Sequence, residues 1–520
     1  MDYALALWRL VCLLILALVV GPLLRCRRPA GAPPAPASLA AFSGVITFGF
    51  VLVLGLQAVW TLTPEVSQGF RDCAALDRRA YRLRSPHDRR TLADRAGTPL
   101  VVNLTTEQGI VRQHVFGGRI AHVLGYHSPR FGQTGAEAAC NTELSTARRP
   151  AWTILGSLGR PGNPLTQPLR LTLDAGLQTA AADALGNRCG AVVVLAPATG
   201  EVLAMVSGPS FDPDNLSQAS FRALRDDPRR PLLNRALAGL YPPGSTFKPV
   251  TAAALLAHGY GLATAVTVPA EGYLAPGDSQ PIRDHEASEA ARLGHSWAGH
   301  GRLTMRDAMA MSANGYFAAL GSRLGPGVLA DAGRAFGLDR PWALTPDGWQ
   351  TDDLMARAGS LPDPADNPAQ CARAAIGQGR VLVTPLHMAL VAATVANHGQ
   401  LRPPRLLLDA GSPEPLLVMT QPIADRVAGL MRCAVTDPRG TARGLRLGAV
   451  PVAAKTGSAE NSNGEPHAWV IGFAPSNQPR LAFAVLVEHG GAGSKAAVPI
   501  ARSVLDAARR EGWLSGGGTP

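Results

Sequence analysis

The sequence predicts an α/β (α+β) main domain, an antiparallel sheet covered by helices with a helical subdomain inserted. A small β-rich domain and N-terminal membrane helices precede it. Three observations carry this reading. Strand-like runs lie at both ends of residues 166–514, with a helix-like middle. Two apolar stretches open the chain. Between them and the main domain, residues 63–165 are polar, Arg-rich and punctuated by Gly and Pro, with no long amphipathic helix. At 520 residues, 46% hydrophobic and 17% charged, the composition describes several folded units with membrane segments and excludes a disordered chain.

The first apolar stretch, residues 4–24, is interrupted only by Arg9; the second, residues 39–62, carries no charge and ends near Trp60. Each is long enough to cross a hydrocarbon core, which takes about 20 helical residues. Arg25, Arg27 and Arg28 lie between them, and positive loops stay in the cytoplasm, so everything after Leu62 is expected outside. A cleavable signal peptide is the competing reading of the first stretch. It would make the second a stop-transfer segment and leave the rest of the chain inside.

Further on, the stretch from Arg90 to Leu100 reads as two short strands around a turn at Ala96-Gly97, and Gly132 to Glu137 as a loop entering a short helix. In the main domain, Leu169 to Leu173 alternates as a strand and Leu177 to Leu185 has helical spacing. Ala191 to Leu195 and Val202 to Val206 form a hairpin around Pro197-Ala198-Thr199-Gly200. Val470 to Phe473 and Leu481 to Glu488 are two more strands, followed by a helix from Ala497 to Arg510 and a disordered tail at 515–520.

The formal net charge is +11, but the arginines come singly and in pairs, without a basic run or an aromatic-interleaved stripe. That pattern argues against nucleic acid and fits an anionic membrane face or wall polymer. Seven cysteines include no C-x-x-C pair, which argues against a zinc ribbon or thioredoxin-like site. In an exported domain Cys371 with Cys433 is the favoured disulfide. Asp284-His285-Glu286 with His295 and His300 reads as a solvated loop rather than a metal cluster, because the segment is polar and Gly-rich and lacks Cys. His467 is expected at a cleft edge without a catalytic role.

Only three of the 49 basic residues are lysine: Lys248, Lys455 and Lys495. Codon bias explains the scarcity but not the placement. Two of them fall in Ser245-Thr246-Phe247-Lys248 and Lys455-Thr456-Gly457, with Ser312-Ala313-Asn314 between. Lysine, unlike arginine, can be stripped of its proton by burial and nearby cations and then act as a base. On a helix, Lys248 lies one turn beyond Ser245 on the same face. A serine hydroxyl needs such a base to become a nucleophile, and Lys455 is the neighbouring cation expected to depress Lys248. Ser312 is placed to relay a proton and Asn314 to bind a substrate amide, while Lys455 and Thr456 hold a carboxylate. Gly457 allows close approach of the substrate backbone, and the Ser245 and Ser458 N–H groups form an oxyanion hole. Each motif alone is weak; their order and context together are specific.

Residues from about Leu169 to Leu514 resemble the transpeptidase domain of a class B penicillin-binding protein. The likeness extends through Thr172-Leu173-Asp174, Thr199-Gly200-Glu201-Val202-Leu203-Ala204-Met205, Asn234-Arg235-Ala236 and Tyr241-Pro242-Pro243-Gly244-Ser245. It continues in Ile376-Gly377-Gln378-Gly379, Thr384-Pro385, Ala396-Asn397-His398-Gly399, Gly440-Thr441-Ala442 and Lys455-Thr456-Gly457-Ser458-Ala459-Glu460. The segments 90–100 and 132–137 are similar to that family's non-catalytic pedestal. The resemblance implies a membrane-anchored peptidoglycan D,D-transpeptidase with its catalytic domain outside the cytoplasm, acylated by stem peptides and by β-lactams, without cofactor or metal. It implies as partner a multispanning glycosyltransferase of the shape, elongation, division and sporulation family. An outside location favours two retained membrane helices, although the family usually has one. A D,D-carboxypeptidase, a serine β-lactamase and a non-enzymatic β-lactam sensor or scaffold are the alternatives.

Overall fold

The structure, a computed structural model, describes residues 89–107, 109–145, 167–346, 352–363, 367–461 and 464–515, together with Gly49. The two expected membrane stretches, Gly49 apart, and the tail at 516–520 lie outside the described residues. Among the described residues, no helix is long and apolar enough to cross a membrane.

The small N-terminal domain is a four-stranded sheet. Strand β1 (Leu92–Ala93) pairs antiparallel with β2 (Pro99–Thr106), and β2 pairs with β3 (Gly109–His114). The expected turn is present: Asp94 turns its carboxylate back onto the Ala96 and Thr98 N–H groups, the side-chain-to-backbone bond that makes Asp a turn former. The segment Leu169 to Leu173 departs from expectation. Only Leu169–Arg170 (β4) is a strand, and it runs parallel to β1 as the last member of this sheet. Its alternation does not carry over into burial, since Thr172 is as fully buried as Leu171 and Leu173, and the sheet it serves is the one built from residues 92–114. Glu137, in helix α1 (Gly135–Ala139), is fully buried. It accepts from Arg89 Nη2 at 2.6 Å and Arg112 Nε at 2.7 Å. Burial works to raise its carboxyl, but the two guanidinium charges prevail and hold it at about 2.

The main domain follows with α2 (Ala175–Leu185), capped by Asp174, and the hairpin β5 (Gly190–Leu195) and β6 (Val202–Gly208). The chain then leaves for a helical region, in which α3 (Lys248–Ala257), α4 (Met305–Met311), α5 (Asn314–Leu324), α6 (Pro385–Ala396) and α7 (Gln421–Thr436) are the elements that matter here. It returns with β7 (Ala453–Ala459), β8 (His467–Ala474), β9 (Leu481–Val487) and α8 (Gly493–Arg510). The sheet order is β7-β8-β9-β5-β6, antiparallel throughout. The chain's two ends therefore meet at the β9–β5 pair, as the strand-like termini predicted.

Every residue of β5, β6, β8 and β9 is buried, and their side chains alternate between two cores. Val192, Val194, Val470, Phe483 and Val485 join α2 and α8 on one face. Val193, Ile471, Phe473, Ala484 and Leu486 face the other way, toward the wholly buried α6. This is a three-layer arrangement, and it leaves β7 as a sheet edge. The expected Cys371–Cys433 disulfide is absent. Both are thiols, and buried Cys371 donates to Gly321 O instead.

Candidate active site

The site forms where the first turn leading into α3 packs against the edge strand β7. Tyr241-Pro242-Pro243 delivers the chain into a 3₁₀ turn, Gly244–Phe247, which runs directly into α3 at Lys248. Two glycines permit the approach. Gly244 has φ +53°, and a Cβ there would lie 3.0 Å from Ser458 O. A Cβ on Gly457 would meet Pro243 O and the Thr246 backbone at 3.1 Å. The glycine of K-T-G thus lets the Ser245 turn approach the strand this closely. The turn is fixed from outside the motif as well. Gly244 N donates to Gly377 O, and Tyr241 exchanges backbone bonds with Val383, which places Ile376-Gly377-Gln378-Gly379 in a structural role.

Lys248 and Lys455 are both fully buried and converge on Ser312. Lys248 Nζ donates to Ser312 O at 2.6 Å and Asn314 Oδ1 at 2.8 Å, with Ser312 Oγ more distant at 3.4 Å. Lys455 Nζ donates to Ser312 Oγ at 2.7 Å and Thr456 O at 2.8 Å. Ser312 occupies the left-handed region, φ +64°, as the C-cap of α4, a costly conformation for a non-glycine residue of the kind that clusters at functional sites. That turn presents its carbonyl to one lysine and its hydroxyl to the other.

Burial lowers Lys248 to about 7, against the opposing charges of Asp284 and Glu286. Of the two causes the sequence suggested, burial acts on Lys248, while the repulsion between the lysines bears on Lys455. Lys455 is itself pushed well below its ordinary value by burial and then by the charge on Lys248. Two buried ammonium groups sharing one serine hydroxyl disfavour each other's charge. A neutral Lys248 has two N–H bonds, and Ser312 O and Asn314 Oδ1 engage both, leaving its lone pair to accept a proton.

Thr456 Oγ1 donates to Thr441 Oγ1, which ties Gly440-Thr441-Ala442 to the K-T-G strand. Ser458, expected to matter through its backbone, accepts a side-chain bond from Gly493 N at 3.3 Å. Ser245 is half-buried, and its N–H sits in a first helical turn, where no intrahelical acceptor exists.

Sequence reasoning missed two groups of residues. Asp284, read as part of a solvated loop, is 1% exposed and accepts from the Asn314 and Gly315 N–H groups at the start of α5. Behind the nucleophile turn, Arg235 and Tyr241 both bond Glu488, and Trp469 Nε1 donates to Pro242 O. His467 is buried and packs edge-on against Tyr241. Among the described residues, no group of His, Cys, Asp and Glu has an arrangement that could hold a metal ion.

The sequence profile of the penicillin-binding protein transpeptidase domain matches residues 190–506. Peptidoglycan D,D-transpeptidase PbpA of Mycolicibacterium smegmatis is 37% identical over 75% of this chain and 83% of its own length. Peptidoglycan D,D-transpeptidase MrdA of Escherichia coli is 29% identical over 73% of this chain and 63% of its own length. The crystal structure of penicillin-binding protein A from Mycobacterium tuberculosis superimposes with a TM-score of 0.71 at 31% identity, covering 81% of this chain and 99% of that one. The penicillin G acyl-enzyme complex of the same protein matches with a TM-score of 0.69 over the same shares.

Proposed function

This chain belongs to the penicillin-binding protein transpeptidase family, and from that premise we propose that it cross-links peptidoglycan as a D,D-transpeptidase through an acyl-enzyme on Ser245. The single observation that carries the residue assignment is the convergence of two buried lysines on Ser312 beside the Ser245 turn.

In the proposed sequence, neutral Lys248 takes the Ser245 hydroxyl proton as Oγ attacks the carbonyl of the penultimate D-Ala. The Ser245 and Ser458 N–H groups receive the oxyanion. The C–N bond breaks, and the departing D-Ala amine takes a proton through the Ser312 hydroxyl, refilled from the lysine pair. Asn314 holds the substrate amide. Lys455 and Thr456 hold the terminal carboxylate, which supplies the counter-charge that burial denies Lys455. An amine from a second stem peptide then attacks the ester by the same steps in reverse. A β-lactam enters by the first half and remains as the ester. No step calls for a metal or cofactor.

We also propose that residues 1–62 anchor the protein in the cell membrane with residues 63–165 as a pedestal outside. Polymerised glycan would come from a separate multispanning glycosyltransferase of the shape, elongation, division and sporulation family, since the motifs account for cross-linking alone.

Incubation with a D-Ala-D-Ala stem peptide and an acceptor amine tests the reading. Transfer to the amine is the expected product, and a chromogenic β-lactam should be consumed once per enzyme. Rapid β-lactam turnover, or release of D-Ala with water as the only acceptor, would assign a hydrolase instead. Acylation without either product would leave a sensor.

A further inference from the structure

Helix α5 begins at Asn314, the residue whose Oδ1 accepts from Lys248. A single short segment clamps that start. Arg283 O accepts from Asn314 Nδ2 at 2.9 Å, and Asp284 Oδ1 accepts the backbone N–H groups of Asn314 and Gly315. The other carboxylate oxygen of Asp284 is buried and accepts no hydrogen bond among the described residues; its nearest cation is His300 Nε2 at 3.9 Å. His300 also stands 3.6 Å from Glu286 and packs edge-on against Trp297. Facing Lys248 from the remaining elements are Ser312, the Phe317 ring at 5.6 Å and, across Ser312, Lys455. Asp284 and Glu286 are therefore the negative charges that act on this base, and His300, whose pKa is raised first by its bond to Glu286 and also by the charges of both carboxylates, is the titratable ring set against them.

We propose that Asp284 is a positioning residue for the acylation step: it locks Asn314 onto Lys248, and its unpaired charge, set against His300, fixes the pH at which Lys248 becomes a base. The inference rests on Lys248 acting as the base for Ser245. A carboxylate whose only task was to cap α5 would put both oxygens to use or leave one in water. Here one oxygen is buried without a hydrogen-bond partner among the described residues, on the side that faces a titratable ring. Such an oxygen is expensive to bury, and its charge acts on the fully buried Lys248.

The test is the second-order rate of acylation of the full chain by a fluorescent penicillin, followed against pH, for wild type, Asp284→Asn and His300→Gln. Asparagine keeps an acceptor for the two N–H groups and removes the charge, placing an NH2 group where the unpaired oxygen stood, toward His300 Nε2. The pH of half-maximal rate should fall by about one unit in Asp284→Asn, the low end of what a nearby opposite charge produces. In His300→Gln it should rise, because the two carboxylates lose their opposing cation. An Asp284→Asn profile that drops in height with its midpoint unmoved would reduce Asp284 to a helix cap and overturn the proposal. If Asp284→Asn does not fold, His300→Gln decides alone: a raised midpoint supports the proposal and an unmoved one overturns it. Failure of the wild-type chain to acylate at all would instead refute the Ser245 reading on which this one rests.

Discussion

Replacing Lys248 by arginine separates a base from a buried cation. Arginine keeps the charge and has donors for both Ser312 O and Asn314 Oδ1, the acceptors that Lys248 reaches at 2.6 and 2.8 Å. It cannot surrender its proton near neutrality. Losing a positioned general base costs about 10²–10⁴-fold in rate, so Lys248→Arg should acylate at least about a hundredfold more slowly. Lys248→Met should fall as far in rate and also lose stability. It leaves two half-buried acceptors, Ser312 O and Asn314 Oδ1, without their donor, at about 1 kcal/mol each. The wild-type rate carries a second signature. With Lys248 at about 7, the neutral base is the minor form below that value and the major form above it, so acylation should rise with pH through about 7 and then level off. Rapid-mixing measurements of fluorescent penicillin incorporation read both quantities. Lys248→Arg acylating within tenfold of wild type, or a wild-type rate that falls across neutrality, would refute Lys248 as the base.

Lys455→Arg should be milder than Lys248→Arg, because a carboxylate site tolerates a guanidinium. A loss of about ten- to a hundredfold in the acylation rate is expected, and the reverse ranking would exchange the two lysines' roles. Tyr241→Phe removes the hydroxyl that donates to Glu488. It should lower the thermal midpoint, since a hydrogen bond to a charged group contributes about 1.5–3 kcal/mol; an unchanged midpoint would mean that Arg235 alone satisfies Glu488. Glu137→Gln strands Arg89 and Arg112 without a counter-charge in the core they share, which should destabilise that region by about 3–5 kcal/mol, read as earlier proteolysis within residues 89–145. In the wild type, the Glu137 carboxyl sits at about 2 against an ordinary 4.5. Its contribution is therefore complete above 4.5 and lost as the pH falls toward 2. Pedestal stability that is flat across that acid range would contradict the buried triad.

The candidate site residues were legible because the proposed chemistry requires particular side chains at short, rigid spacings. Ser245 and Lys248 share a turn, and Lys455, Thr456 and Gly457 share a strand. Strands were legible for a different reason: β5, β8 and β9 are apolar runs bounded by Gly and Pro, even though burial on both faces removes simple alternation. Contacts between distant segments left no such trace. Arg235 and Tyr241 meet Glu488 across 253 and 247 residues, and nothing local marks any of the three. Asp284 sits in a polar, Gly-containing stretch that reads as solvated, and only the fold brings α5 down onto it. Which of the two causes acts on Lys248 was not legible for a related reason, since burial is a property of the packed domain and the sequence displays only the neighbouring lysine.

The central claim is that Ser245 carries the acyl group. Mass analysis of the intact protein after exposure to penicillin G, followed by mapping of the modified peptide, tests it most directly. The account predicts one whole penicillin added per chain, located on the peptide that contains Ser245, and no adduct on a folded Ser245→Ala protein. An adduct on any other residue, or one that persists in Ser245→Ala, would contradict it.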